Sequence, residues 1–368
     1  MSYKPLSRHC FASSPVPQAQ EDNLPHITFP ACMSSSPDLS ILACGCSDAQ
    51  IYLFTRDTLQ PIRSFSSRAG DPSHHENLNA GCLFSKSNPN LILTYTGQDK
   101  IVLVHDLRTN SIASSFSHPG PITSLDINSS DTHLVTGSQD MVTIWDLRSS
   151  KKFLSTDENH SEEITCVSFN PVHESIVLSG SEDGLVCVSD IAQGGLEDGL
   201  ISILNCEAAI DSAIFFGPSG ENVVVVTLNE TLSIWNVGGD DDSGSKLLQL
   251  NAPRSLILQP EDRVQASLFA QSTIPPSLLL PQDQPQENSI TTLVKTFYNE
   301  ASNHVCLVSS DDAGTAFVSS IETDGLHPLF SLPGVHTACI RSFDFSAKDS
   351  GSIFTGAEDG VLSKWMFS

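Results

Sequence analysis

Between His118 and Arg148 the chain reads HPGPITSLDINSSDTHLVTGSQDMVTIWDLR, and apolar positions alternate with polar ones in three short runs separated by polar turns. Alternation over so few residues marks half-buried strands, so three runs in succession predict a single antiparallel sheet. The same order returns from His160 to Ile191 and again from His336 to the C-terminal end of the chain. One such unit cannot bury both of its faces, so the copies must stack on one another.

The units share more than their period. Each opens on a His and turns on Ser/Thr-Gly-x-x-Asp, and two of the three close on a Trp. This resembles the WD-repeat family of β-propellers, whose blades are four-stranded sheets around a central channel. The resemblance implies an all-β fold and, inside each blade, a buried hydrogen-bonded set of His, Ser or Thr, Asp and Trp. In the third unit that set is His118, Thr136, Asp140 and Trp145, and in the last it is His336, Thr355, Asp359 and Trp365. Between them His160, Ser179 and Asp183 are present, but Ser189 stands where Trp is expected, which predicts a less firmly tied blade. The third unit also has one residue fewer between Asp140 and its closing residue, so its turn is tight.

The remaining units are legible once this frame is applied. Closing positions fall at Phe54, His105, Trp145, Ser189, Trp235, Ser319 and Trp365, which gives about seven blades over residues 26–368. Residues 1–25 read as an N-terminal arm, and the resemblance implies that part of it completes the last blade and closes the ring, with His9 to Ser13 as the expected strand. From about 238 to 288 the pattern lapses: Asp240 to Asp242 follow two glycines, and PPSLLLPQDQPQ comes near the end of the interval. Proline at that density argues against central strands. The span from Trp235 to Ser319 is about two repeat lengths, long enough for an eighth blade, but it holds no Ser/Thr-Gly-x-x-Asp turn and reads as an insertion.

Charge narrows the partners. Lysine and arginine total 18 against 43 acidic residues in 368, a net charge of −25 that repels phosphate backbones and disfavours direct nucleic-acid binding. Excess negative charge serves solubility, and basic partners are the sharper alternative. No stretch approaches a membrane span, and the first residues, MSYKPLSRHCFASSPVPQ, lack an apolar signal core, so a monomeric ring in the cytoplasm, the nucleus or both is expected. The ten cysteines are scattered through the chain and read as buried reduced thiols. Cys44 and Cys46 form the only close pair in sequence; without a second pair they do not make a metal site, and no metal or cofactor is expected.

No constellation of catalytic residues is visible. The recurrence of His, Ser and Asp could be mistaken for a hydrolase triad, but an active site occurs once, whereas these residues return at the same place in successive units. There is no G-x-S-x-G, H-E-x-x-H, phosphate-binding loop or Cys-x-x-Cys. The informative feature is a pair of motifs on neighbouring units, His105-Asp106-Leu107-Arg108 and Trp145-Asp146-Leu147-Arg148. An Arg just past the third strand reaches the rim, where its planar fork suits carboxylates or carbonyls of a partner. The stretch LVTGSQDMVTIWDLR resembles the box by which propeller receptors dock on the adaptor of a cullin-RING ubiquitin ligase. That resemblance gives Asp146 the role of fixing the turn and Arg148 that of contact, with Asp106 and Arg108 repeating the device one blade earlier. The alternative is that each Arg pairs within the ring. The expectation is thus a non-catalytic scaffold for protein partners, with a ligase receptor and, more remotely, a propeller enzyme with a channel site as alternatives.

Overall fold

Each alternating run forms a strand because its apolar side chains need a face to bury and its backbone needs a partner strand. The computed structural model describes residues 3–11, 27–67, 80–98, 100–238, 244–251, 290–299, 302–322, 324–345 and 351–367. These residues form seven four-stranded antiparallel sheets arranged as a seven-bladed β-propeller.

β1 (Tyr3–Cys10) stands apart in sequence from the sheet it joins. The first blade is β2 (Pro30–Ser35), β3 (Ile41–Cys46), β4 (Gln50–Thr55) and β5 (Pro61–Ser66). The second is β6 (Ala80–Phe84), β7 (Leu91–Thr96), β8 (Ile101–Asp106) and β9 (Ser111–Ser117). β10 (Ser124–Ile127), β11 (His133–Ser138), β12 (Met141–Asp146) and β13 (Lys151–Thr156) make the third. The fourth comprises β14 (Ile164–Phe169), β15 (Ile176–Ser181), β16 (Leu185–Asp190) and β17 (Leu200–Asn205). In the fifth are β18 (Ile210–Phe216), β19 (Asn222–Thr227), β20 (Leu232–Asn236) and β21 (Ser245–Leu250). The sixth holds β22 (Ile290–Asn299), β23 (His304–Asp311), β24 (Ala316–Glu322) and β25 (Gly325–Leu332). The last has β26 (Ile340–Phe345), β27 (Ile353–Ala357) and β28 (Val361–Phe367), and β1 is its fourth strand.

The core is divided among the seams. Among the described residues, seven buried apolar clusters each draw on two neighbouring blades, such as Leu134 and Trp145 with Val102 and Phe116, or Ile353 and Trp365 with Val308 and Val318. A blade is therefore stable only between two others, which is the physical content of the repeat.

A second regularity lies in the register. In each of the first six blades the outer strand takes one extra residue, and the bulge falls immediately before the closing residue of the third strand: Phe54, His105, Trp145, Ser189, Trp235 and Ser319. In the last blade it falls between Pro5 and Ser7, opposite Lys364 and Trp365. A bulge raises the local twist and lets the outer strand splay from the narrow inner edge of the blade. The closing position is thus a backbone feature, which explains why it survives when Trp does not.

Ring closure differs in detail from the sequence expectation. The closing strand is Tyr3–Cys10, so it begins six residues before His9 and ends at Cys10 rather than running on to Ser13, and residues 12–26 lie outside the described part. Lys4-Pro5 reads as a strand breaker, but an outer strand tolerates proline because its missing N–H has no ladder to serve. Phe11 follows, donates its N–H to Gly360 O (2.8 Å) and packs edge-on against Tyr52 and Phe54, which joins the last blade to the first. The same seam contains Arg56, 2% exposed, whose Nε donates to Ser35 Oγ (2.9 Å) while Ser35 donates to Asp344 of the last blade. The interval 238–288 likewise contributes to a blade, since β21 is the outer strand of the fifth; residues 239–243 and 252–289 are outside the described part.

Candidate partner surfaces and the ties that position them

In the last blade the four expected residues form one network. His336 Nε2 lies 2.7 Å from Thr355 Oγ1, and Trp365 Nε1 donates to the same hydroxyl at 2.8 Å. The other ring nitrogen of His336 lies 3.4 Å from Asp359 Oδ1, so the tautomer consistent with all three has the proton on Nδ1. Asp359 also accepts the N–H groups of Thr337 (2.8 Å) and Val361 (2.9 Å) and so pins both the entry loop and the hairpin.

The fourth blade repeats most of this. His160 contacts Ser179 Oγ at 2.8 Å and Asp183 Oδ2 at 3.2 Å, and Asp183 accepts from Ser161 N (3.0 Å) and Leu185 N (2.9 Å). Burial holds the His160 imidazole below its usual range against the opposing pull of Asp183. Ser189 does not reach this set; its hydroxyl donates to Leu196 O at 2.7 Å. Leu196 comes from the long turn between β16 and β17 and is itself buried in the core shared with the third blade. The volume lost with the Trp is refilled by the turn.

The third blade, which carries all four letters, departs from the expectation. Trp145 Nε1 donates to Thr136 Oγ1 at 2.9 Å, but His118 Nε2 pairs with Thr143 Oγ1 (3.0 Å) instead of Thr136. Its Nδ1 is buried with no hydrogen-bond partner among the described residues, and Asp140 is exposed on the hairpin, outside the set. Two local causes explain the correction. Pro119 follows the His where Ser161 and Thr337 supply an N–H to the Asp in the other blades, and proline has none. The shorter hairpin pairs Ser138 with Met141 directly and leaves only Gln139, at φ 52°, and Asp140 in the turn. Burial and nearby Lys152 push the His118 imidazole down to about 4.

Two further ties were not legible as such. His105 stands at the closing position of the second blade and its Nε2 lies 3.0 Å from Thr94 Oγ1, the bond a Trp would make. Burial, with Arg63 nearby, pushes its imidazole down to about 4. In the fifth blade Trp235 Nε1 donates to Ser233 Oγ (2.8 Å), because Val225 occupies the usual hydroxyl position. Both follow from the register: the closing residue always sits two places after the residue opposite the Ser/Thr position.

Strand direction sorts these features onto two faces. The turns joining second to third strands, and the loops between blades, lie on the face of the His and Asp ties; the turns after first and third strands lie on the other. Arg108 and Arg148 are on this second face. They are not equivalent. Arg108 folds back on its own motif, with Nη2 3.0 Å from Asp106 Oδ2 and Nε 3.3 Å from Oδ1, and both side chains are shifted toward their charged forms by that pair. Asp146 accepts the backbone N–H groups of Arg148 (2.8 Å) and Ser149 (3.2 Å), which fixes the turn, while the exposed Arg148 guanidinium has no hydrogen bond or ion pair among the described residues.

The tie face is acidic over the fourth and fifth blades, where Asp157, Glu158, Glu162, Glu163, Glu182 and Glu207 are exposed. A cavity of about 320 Å³ opens there, with Ile164, Ile210 and Leu228 in its lining beside Glu163, Glu182 and Asp211. Among the described residues Glu322, Asp324 and His327 are close enough to hold a metal ion, but the His327 nitrogen already lies 2.7 Å from Asp324 on an open hairpin.

With the ring and its ties established, comparison with known proteins places the chain. Residues 110–146 and 151–190 match the family described as "WD domain, G-beta repeat". These two stretches match WD40 repeats, and the described residues of the whole chain close into a seven-bladed β-propeller. In particular it is similar to the WD repeat-containing protein 89 homolog of Dictyostelium discoideum, 26% identical over 278 residues that cover 76% of this chain and 68% of that one. An uncharacterized WD repeat-containing protein of Schizosaccharomyces pombe is 25% identical over 309 residues, 79% of this chain and 83% of the relative. The WD repeat-containing protein GTS1 of Arabidopsis thaliana is 34% identical over 124 residues, 33% of this chain and 29% of its own length.

Proposed function

We propose that this protein is a non-catalytic scaffold that holds protein partners on the circumference and faces of a rigid ring. The observation that carries this reading is a run of exposed apolar side chains on the outer strands of five consecutive blades: Ile62 (47% exposed), Ile112 (51%), Phe153 (52%), Ile203 (40%) and Leu247 (57%). Outer strands also leave one edge unpaired, and large apolar residues repeated along such edges suit protein contact. WD-repeat propellers generally serve as interaction scaffolds, which agrees with this use. The test is affinity capture, read by mass spectrometry, with the intact protein and with a Phe153→Glu, Ile203→Glu variant that retains its unfolding temperature. Selective loss of partners from the variant is expected; identical partner sets would refute the reading.

Arg148 favours a second, finer reading, that of a substrate receptor docked on the adaptor of a cullin-RING ligase. A turn fixed by Asp146 with an unpaired guanidinium is ready for an external carboxylate or carbonyl. Arg108 would first have to leave Asp106. In the same capture experiment an adaptor recovered with the intact ring and lost with Arg108→Ala, Arg148→Ala supports this role, and its recovery with both forms assigns the arginines elsewhere.

A further inference from the structure

Ten cysteines spread along the sequence give no sign of pairing, and none of them is in a disulfide in the structure. Two of them, fifty positions apart, nevertheless meet. Cys32 on β2 and Cys82 on β6 belong to the innermost strands of the first and second blades, and their sulfurs lie 3.4 Å apart. The seat is built for sulfur. Cys32 Sγ accepts the N–H of Cys82 (3.1 Å) and directs its own proton at Ala80 O (3.1 Å). At Gly45 a side chain would begin 2.7 Å from Cys32 Sγ and 2.1 Å from Ala80 O, so only glycine leaves room for this contact.

The hydrogen bond alone does not call for cysteine. At the seam between the third and fourth blades Ser124 Oγ accepts Val167 N in the same way, at 3.1 Å. What the two cysteines add is redox chemistry. We propose that Cys32 and Cys82 are a reactive dithiol that a hydroperoxide converts to a disulfide, stapling the first blade to the second.

The step balances. Cys32 loses its proton and its thiolate attacks the terminal oxygen of the hydroperoxide; the O–O bond breaks, and an alcohol, or water from hydrogen peroxide, leaves with Cys32 as a sulfenic acid. Cys82 then attacks the Cys32 sulfur and expels hydroxide, which takes the Cys82 proton and departs as water. Two thiols are oxidised by two electrons and one peroxide bond is reduced. Geometry asks for a closure from 3.4 Å to about 2.0 Å between thiols on two packed strands.

The division of roles follows from the surroundings. Cys32 is half-buried whereas Cys82 is buried. The hydrogen bond from the Cys82 thiol, together with the Cys82 N–H and the charge of Lys295, holds the Cys32 thiol below its usual range, and the same contact with burial drives Cys82 up. Cys32 is therefore the attacking thiol and Cys82 the resolving one. Burial keeps Cys44 and Cys46 protonated.

The test uses the full, reduced chain. It is exposed to graded hydrogen peroxide, blocked with N-ethylmaleimide, digested without reductant and read by mass spectrometry, with the exposed Cys10 as internal control. A Cys32–Cys82 linked peptide, two hydrogens lighter and abolished by dithiothreitol, is expected as the first disulfide to appear. Cys82→Ser should leave Cys32 trapped as a dimedone-reactive sulfenic acid, and Cys32→Ser should leave Cys82 alkylated. Serine preserves the backbone contact, as Ser124 shows, so both variants should fold. Oxidation of Cys10 at doses that leave Cys32 and Cys82 fully alkylated would overturn the proposal, and so would a first disulfide between any other pair.

Discussion

The third and last blades are nearly identical in the residues that define a repeat, yet the last is tied and the third is half tied. In the last, Asp359 gathers a ring nitrogen and two backbone N–H groups. In the third, Asp140 is exposed and His118 turns to Thr143. The difference lies in residues outside the recurring set: Pro119, which has no N–H to offer, and the residue missing from the hairpin. A motif names the groups available for a network, but the backbone donors beside it decide whether the network closes.

The two blades also differ in where their fourth strand comes from. β13 is local to the third blade, while the last borrows β1 from the other end of the chain. Deleting residues 1–11 is expected to have the largest effect of any change considered, because it removes an entire ladder with β28 and the Phe11 packing on the first blade. Loss of a single cooperative unfolding transition, followed by circular dichroism, is the predicted outcome; an equal effect from removing residues 12–26 would contradict it.

Thr355→Val and Thr136→Val sharpen the contrast. The first strands both His336 and Trp365 and is expected to cost roughly 2–5 kcal/mol, while the second strands Trp145 and gives up a long contact to Thr143 O, and should cost about 1–3 kcal/mol in urea unfolding. Similar losses in the two would mean that His336 gains nothing from its hydroxyl partner.

A smaller effect concerns pH. His105 and His118 have native values of about 4 against an ordinary 6.5, so between those values the unfolded chain binds more protons than the folded one. Their contribution is present above pH 6.5 and is lost progressively as pH falls toward 4. Replacing His118 by Gln should flatten the stability profile over that window; an unchanged slope would show that the imidazole is not held neutral.

Much of this was legible in the sequence. The alternation, the recurring His and Asp, and the closing positions specify seven sheets, because each reflects a backbone event: an inter-blade loop, a hairpin or a bulge. The closing strand was placed late because proline at an outer edge resembles proline in a loop. The failed tie at Asp140 had a readable signal in Pro119. The contact between Cys32 and Cys82 had none, since it joins residues whose distance in the chain says nothing about neighbouring inner strands. Nor could spacing reveal that Arg108 is paired and Arg148 is not, because both motifs read alike.

The most direct measurement is the unfolding temperature of Asp359→Ala beside that of Asp140→Ala. Removing Asp359 frees His336 and two backbone donors, so a drop of several degrees is expected, while Asp140→Ala should lie within about 0.5 kcal/mol of the parent. Equal and large losses would contradict the conclusion that the recurring residues tie the last blade and leave the third half tied.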